Sequence, residues 1–313
     1  MSVRKVPGAR AIDPDLPIGL ELQRVLRDEL RLVIDACSSH SSWQLRQRGV
    51  AVRRARKSLK RAKAVLELVR GGVAPGEQTD LLSAVKELAR RLGPLRDRDV
   101  VKELLDGIEQ EVAGRRRREA IRLAKVMLVA DRPEVLVRDH RAEEQIMTAA
   151  GRDAAEVLDR MEGVDFTVVD RALVLDRFEE LHRRARKRFH GDFESRDVEW
   201  LHATRKRVIL LQHGTRPLIS IKPRILGPWV ADLKRVADLL GDDHDFAVLE
   251  TVLAAQDGGS DGLDALGVIA KQIVDRRSSL RRKAKRRGRK VLDRPSSAMR
   301  KRLGDWWARA GSA

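Results

Sequence analysis

Apolar residues return every three or four positions along almost the whole chain, from Leu16 to Arg309, with Arg, Lys and Glu between them. This spacing is typical of amphipathic helices, and the strict alternation that would mark strands is nearly absent. Glycine and proline residues interrupt the pattern at plausible helix ends. The predicted helices cover residues 16–37, 42–71, 78–92, 95–112, 114–130, 133–161, 168–191, 196–214, 225–240, 243–256, 262–292 and 297–309. The pattern therefore predicts an all-α protein.

Segments of similar sequence occur in the two halves of the chain. Each half has a basic stretch and, further on, a Leu-Gly motif; these are residues 52–61 and 92–97, then 201–208 and 240–245. Arg53 lies 149 positions before His202, and Gly93 lies 148 positions before Gly241. A near-constant offset predicts two halves with the same helix order. We expect an N-terminal arm at 1–15 and two pseudo-symmetric antiparallel four-helix bundles at 16–162 and 163–313.

In the first half, one helix combines an apolar stripe with a cationic face. At about 100° per residue, one side carries the apolar residues Val52, Ala55, Leu59, Ala62, Leu66 and Val69. The opposite side carries five cations, here called the first ridge: Arg53, Arg56, Lys57, Lys60 and Arg61. Like charges four residues apart destabilise a helix by a few tenths of a kcal/mol per pair. A ridge without interleaved acids therefore indicates a surface that an anion compensates.

The second half repeats this arrangement with fewer charges. Its inward stripe is predicted to be Leu201, Thr204, Val208 and Leu211. The outward residues, here called the second ridge, are His202, Arg205, Lys206 and His213. Ile209 stands where the first half has Lys60, so this ridge loses one charge midway. We expect both histidines to donate to phosphate, more strongly once they are protonated at or below about pH 6.5.

Composition narrows the class of partner. The 313 residues include 65 Lys and Arg against 47 Asp and Glu, a formal net charge of +18 that favours polyanionic partners. Aromatic residues are only 3%, which argues against a single-stranded nucleic-acid site built on base stacking. Cys37 is the single cysteine, which excludes an intrachain disulfide and fits a reducing compartment. With no targeting or membrane-spanning segment evident, we expect a cytoplasmic protein.

At these motifs the chain resembles the CHAD family, named for conserved histidines on an α-helical domain. In that family a histidine is followed by two variable residues, an arginine, and then a lysine or arginine. The second half has this pattern as His202, Arg205 and Lys206, and the Leu-Gly motifs resemble those that open a later helix in each half. The first half departs from it, because Arg53 stands in place of the histidine. The resemblance spans roughly residues 16–295.

The resemblance implies two four-helix bundles, a basic surface or channel between them, and binding of inorganic polyphosphate. Many members of the family are found on polyphosphate granules. The ridges would then be the polyphosphate-binding residues. Arg53 still donates to phosphate at any pH, so we expect binding to survive the loss of the first-half histidine. A role that needs a titrating imidazole at that position would not survive.

Several features leave alternatives open. The segment from Asp242 to Asp245 is either the capped start of a helix or part of a metal site, and the second reading would make the protein a metal-dependent phosphohydrolase. The basic run from Arg276 to Lys290 is either an extension of the anion track, a solvated face, or a contact for RNA or membrane. We expect Trp306 and Trp307 to anchor the last helix by packing.

Recognisable catalytic motifs are missing from the sequence. We find no nucleophile elbow, phosphate-cradling glycine loop, paired-cysteine metal motif or dinucleotide fingerprint. We therefore expect a non-enzymatic polyphosphate-binding protein without a cofactor, targeted to polyphosphate granules. The alternative is an RNA- or DNA-associated basic helical protein that uses the same charge.

Overall fold

A computed structural model of the chain describes residues 11–38, 45–95, 140–191, 195–254 and 260–310, with positions 106, 107, 109, 110, 122 and 193. Every extended regular element in these ranges is a helix, which confirms the all-α prediction. The helices are α1 (Ile18–Ser38), α2 (Leu45–Leu68), α3 (Pro75–Arg91), α4 (His140–Glu162), α5 (Arg171–Arg186), α6 (Val198–Thr215), α7 (Pro223–Ala254), α8 (Ser260–Val291) and α9 (Ser296–Ala310). Two short 3₁₀ helices, Lys187–Phe189 and Pro217–Ile221, follow α5 and α6.

The main difference from the predicted helices lies at Gly241. The sequence pattern predicts a break there, between helices at 225–240 and 243–256, but α7 runs unbroken from Pro223 to Ala254. Gly241 does not end the helix. It allows the side chain of Arg205 to pack closely against α7, as described below. The predicted helices at 95–112 and 114–130 lie outside the described residues except at a few positions, and so do residues 133–139.

The first four helices enclose a shared core. Helix α1 packs against α2 and α4, and α3 packs against the same two helices, so the contacts form a closed cycle. The predicted apolar stripe of α2 faces this core. All six of its members, Val52, Ala55, Leu59, Ala62, Leu66 and Val69, are buried. This part of the prediction is confirmed.

The later helices pack in sequence order. Helix α6 contacts α5 and α7, α7 contacts α8, and α9 returns to pack on α5. The predicted inward stripe of α6 (Leu201, Thr204, Val208 and Leu211) is buried. In α9, Trp307 is buried, as expected for a packing anchor, whereas Trp306 is only partly buried. The division at 163 and the pseudo-symmetry of the two halves stay predictions.

Helix α2 joins the two halves by packing against both α5 and α6. On the α5 side, Arg177 Nε donates to the backbone oxygen of Glu67 over 3.2 Å. On the α6 side, Gly214 lies so close that a Cβ atom there would be 3.6 Å from Leu68 Cγ. The two helices that carry the ridges are therefore neighbours at the centre of the molecule. Among the described residues, no helix has the length and apolarity needed to cross a membrane.

Candidate anion-binding site

The first ridge lies on α2, which has no acidic residue before Glu67. Arg53, Lys57 and Lys60 are exposed, and Arg56 is half-buried. These four residues occupy the side of α2 away from its apolar stripe, as the helical period predicts. The structure therefore brings four of the five predicted cations to one accessible face.

Arg61 does not belong to this accessible face, which corrects its assignment to the ridge. Its side chain is buried, and Nη1 lies 3.2 and 3.3 Å from the two carboxylate oxygens of Glu29, which is itself buried on α1. A buried guanidinium requires such a partner, because desolvating an isolated charge is very costly. Arg61 therefore holds α2 to α1. The sequence pattern missed the pair because Glu29 lies 32 positions away on another helix.

Arg56 and Arg205 contact the two Leu-Gly motifs in the same way. Arg56 Nη1 donates to the backbone oxygen of Ala89 over 3.1 Å, and a Cβ on Gly93 would lie 3.5 Å from the same nitrogen. A Cβ on Gly241 would lie 2.7 Å from Arg205 Nη2. Gly241 thus leaves room for the guanidinium of Arg205, whereas a Cβ at Gly93 would be in ordinary van der Waals contact with Arg56. In both halves, therefore, an arginine of the basic stretch lies beside the glycine of the Leu-Gly motif.

His202 is half-buried and stacks on a histidine of α7. The centroids of the His202 and His244 rings lie 4.3 Å apart, at an interplanar angle of 32°. Burial, together with repulsion from His244, Lys206, Arg205 and Lys60, lowers the pKa of His202 to about 4. His202 is therefore neutral near pH 7 in the unliganded protein. The expectation that His202 titrates near pH 6.5 is therefore wrong for the unliganded protein. His244, which contacts it, was not predicted to be part of the site.

His213 is buried rather than outward, which corrects its predicted position. Helix α6 contacts α2, α5 and α7, so little of its surface remains open. Burial, together with repulsion from Arg61, Lys60, Arg216 and Lys57, lowers the pKa of His213 to about 3. Its Nδ1 atom has no hydrogen-bond partner among the described residues. His213 is thus a neutral imidazole at the base of the cationic region.

The two ridges form one cationic region, because their charges act on one another. Lys60 of α2 contributes to the lowered pKa of His202, and Lys57 and Lys60 contribute to that of His213. The pKa of Lys63 is lowered by burial and by Lys86, with a further contribution from Lys206 across the α2–α6 contact. Lys63 was missed by the sequence pattern, although it continues the same acid-free stretch of α2.

The aspartates after Gly241 lie in the interior of α7, so the predicted helix start at Asp242 or Asp243 is wrong. Asp243 is buried, and its Oδ1 accepts from Arg277 Nε over 3.3 Å and from Arg281 Nε over 3.0 Å. These bonds tie α8 to α7. In the described part of the chain, no group of three or more His, Cys, Asp or Glu side chains is arranged to hold a metal ion.

Comparison with known proteins agrees with the all-α fold. The family model described as the CHAD domain matches residues 30–254. The chain belongs to the CHAD domain family. Its fold is similar to the crystal structure of the CHAD domain from the plant Ricinus communis, with a TM-score of 0.52 and 15% sequence identity over 94% of this chain and 97% of that one. A search of curated proteins finds no match.

Proposed function

We propose that this CHAD protein binds inorganic polyphosphate along the cationic region between α2 and α6. The observation that carries the proposal is the adjacency of the two ridges, which concentrates cations from separate halves of the chain on one surface. Polyphosphate is a flexible chain of closely spaced negative charges. Binding it would relieve the mutual repulsion among these cations and release counterions from the polymer.

The side chains divide into three roles in this proposal. Arg53, Lys57, Lys60 and Lys206 are exposed and would contact the polymer directly. Arg donates two parallel hydrogen bonds to phosphate oxygens, and Lys acts as a point charge beside them. Arg56 and Arg205 would contribute positive potential from their places over the two glycines. Half-buried His202 would donate to phosphate at the base of the region, whereas the buried His213 lies beneath it and would not contact the polymer.

We propose a binding role rather than an enzymatic one, with the protein in the cytoplasm and recruited to polyphosphate granules. Burial of Asp243 between two arginines supports this, because it removes that carboxylate from metal chemistry. A phosphohydrolase centred on His244 and Asp245 would release phosphate from polyphosphate when a divalent metal is added. We expect no release above the protein-free rate in the presence of Mg²⁺, Mn²⁺ or Zn²⁺.

The decisive experiment compares long-chain polyphosphate with single-stranded RNA and duplex DNA in a salt series. We expect polyphosphate to bind more tightly than either nucleic acid and to remain bound at physiological salt. The variant K57E/K60E/K206E reverses three exposed charges of the site and should abolish binding. The control K271E/R282E/K301E makes the same change of net charge at exposed positions on α8 and α9 and should bind normally.

Two other outcomes would contradict a specific polyphosphate site. Equal affinities for all three polymers that collapse together with salt would indicate a generic cationic surface and favour the RNA- or DNA-associated role. Loss of polyphosphate binding in the control variant as well would show that net charge, and not the α2–α6 region, determines affinity. Granule recruitment is tested by imaging the tagged protein. The wild type should be found on the granules, and the charge-reversal variant K57E/K60E/K206E should not.

A further inference from the structure

A second cationic surface lies at the other side of α7, in a groove between α7, α8 and α9. The groove has a volume of about 720 Å³, and none of its lining residues belongs to α2 or α6. Its floor is apolar and includes Leu226, Trp229, Leu239, Met299 and Trp306. Its rim is mainly basic, with Lys283, Arg286, Lys290, Arg294 and Arg302 beside two carboxylates, Asp232 and Asp293. The groove thus combines an aromatic floor with a positive rim.

The positive charge of the rim is only partly compensated. Asp232 also lines the groove, and its Oδ1 atom lies 3.5 Å from Arg287 Nη2 and 2.9 Å from Arg235 Nη1. Within the described chain, the five rim cations named above form no ion pair with an acid. The part of the basic run that reaches the groove, from Lys283 to Lys290, therefore lines a concave site instead of a flat solvated surface.

The aromatic floor is fixed in place. The Trp229 ring is stacked by the buried His182 ring, with 5.9 Å between centroids and 20° between planes. Trp229 Nε1 donates to the backbone oxygen of Val291 over 3.0 Å, which ties the indole to the end of α8. The Phe178 ring also packs against the indole, with 6.1 Å between centroids, and Trp229 lines the groove with what remains exposed. Trp306 lines the same groove from α9 and is only partly buried.

We propose that this groove binds a nucleoside polyphosphate, with its base on the tryptophan floor and its phosphates on the basic rim. A volume of about 720 Å³ lies within the usual range for small-molecule sites. Base stacking on an aromatic ring tolerates any base, and Arg and Lys donors suit a short run of phosphates. Inorganic polyphosphate has no apolar part and gains nothing from Trp229 and Trp306. The aromatic floor therefore favours a nucleotide over the inorganic polymer.

Calorimetry with ATP, GTP and inorganic triphosphate tests the proposal. We expect both nucleotides to bind the full-length protein about tenfold more tightly than triphosphate, because only they stack on the floor. R286E/K290E should weaken ATP binding at least tenfold. K271E/R282E changes the net charge equally on the same helix, outside the groove, and should change ATP affinity less than twofold. W306L should weaken ATP binding, although Trp229 still stacks on the base, and it should leave triphosphate affinity unchanged.

Three results would overturn the proposal. The first is equal affinity for ATP and triphosphate, and the second is an equal loss of ATP binding in K271E/R282E. The third is binding of phosphatidylglycerol vesicles that depends on Arg286 and Lys290 while ATP binding does not, which would make the groove a lipid contact. Two variants separate this site from the polyphosphate site. K57E/K60E/K206E should lose polyphosphate binding and retain ATP binding, and R286E/K290E should lose ATP binding and retain polyphosphate binding.

Discussion

The guanidinium of Arg205 lies against the backbone of Gly241, at a position where a Cβ atom would be 2.7 Å from Nη2, 3.0 Å from Cζ and 3.2 Å from Nε. The corresponding pair in the first half, Arg56 and Gly93, is looser, with 3.5 Å between the same Cβ position and Nη1. Both arginines belong to the basic motif, and both glycines belong to the Leu-Gly motif. The two motifs are therefore parts of one contact that is formed twice.

Gly241→Ala is expected to weaken polyphosphate binding with little effect on stability. Alanine gains up to about 1 kcal/mol of helix propensity inside α7, and the atoms that must move are at the end of a flexible side chain. The guanidinium of Arg205 would lose its fixed place beside His202, and we expect affinity to fall several-fold. Titration calorimetry and thermal unfolding of the variant measure the two effects.

Gly93→Ala is the matched control for this prediction. A Cβ at 3.5 Å from Arg56 Nη1 is in ordinary van der Waals contact, so Arg56 can stay in place. We expect this variant to bind polyphosphate as the wild type does. Equal losses of affinity in the two alanine variants would show that the fit of arginine over glycine is not what positions these side chains.

Arg61 and Glu29 provide a second prediction, which concerns stability. Arg61→Ala or Glu29→Ala leaves a buried charge without its main partner, and we expect each to lower the free energy of unfolding by about 3–5 kcal/mol. Lys57→Ala, an exposed change on the same helix, should alter it by less than about 0.5 kcal/mol. Urea denaturation followed by circular dichroism measures these differences.

The double variant R61M/E29L tests whether the charge pair itself matters. Apolar residues of similar size can replace a buried ion pair at little cost, so most of the lost stability should return. If the double variant is as unstable as the single ones, packing around the two side chains, and not charge compensation, explains the effect. Polyphosphate affinity should be nearly unchanged in R61M/E29L, since Arg61 lies beneath the exposed part of the first ridge.

The helical period was enough to predict which faces of α2 and α6 are buried. Leu59 and Val208 lie inside, while Lys57, Lys60 and Lys206 lie outside, because a single helix already determines these directions. The all-α class follows from the same period. Those predictions needed no knowledge of how the helices pack together.

The predictions that failed depended on neighbouring helices. Arg61 falls on the polar side of α2 by the helical period, but it is buried against α1, where Glu29 supplies a carboxylate. His213 lies on the polar side of α6, but α2, α5 and α7 together cover most of that helix. Gly241 resembles a helix end in sequence, and only the position of Arg205 shows why a glycine is needed inside α7. Such contacts join residues far apart in sequence, and no local pattern encodes them.

The buried histidines predict a loss of stability in acid. Burial lowers the pKa of His182 to about 4, from an ordinary value of 6.5. Between these values the unfolded chain binds a proton that the folded protein excludes, so folding is favoured above pH 6.5 and becomes less favourable as the pH falls to 4. The contribution of His182 alone is on the order of 3 kcal/mol. Urea denaturation at several pH values measures the slope.

Two histidine variants test this assignment. His182→Asn keeps a polar group near Ser296, which lies 2.8 Å from Nδ1 of the histidine, and it should reduce the acid dependence of unfolding. It should not remove that dependence, because the lowered pKa values of His202 and His213 act in the same direction. His190→Asn changes an exposed histidine and should leave the slope as it is. An unchanged slope in H182N would contradict the prediction.

Polyphosphate binding should take up protons and strengthen as the pH falls. In the unliganded protein His202 is neutral near pH 7, because burial and the surrounding His244, Lys206, Arg205 and Lys60 lower its pKa to about 4. A polyanion placed beside these cations cancels their repulsion and stabilises the imidazolium, which raises the pKa of His202 in the complex. The complex then binds more protons than its separate parts, so affinity must rise as the pH falls through the raised value.

We expect the dissociation constant to fall roughly tenfold from pH 7.5 to pH 5 at constant ionic strength, a change equivalent to one pKa unit or about 1.4 kcal/mol. Calorimetry in two buffers with different ionisation enthalpies counts the protons directly. His202→Asn should remove much of the effect, and His190→Asn should not, because His190 is exposed directly after the 3₁₀ helix that follows α5. Affinity that is flat with pH, or proton uptake that persists in H202N, would show that the polymer does not reach the imidazole of His202 and would restrict the site to the exposed lysines and Arg53.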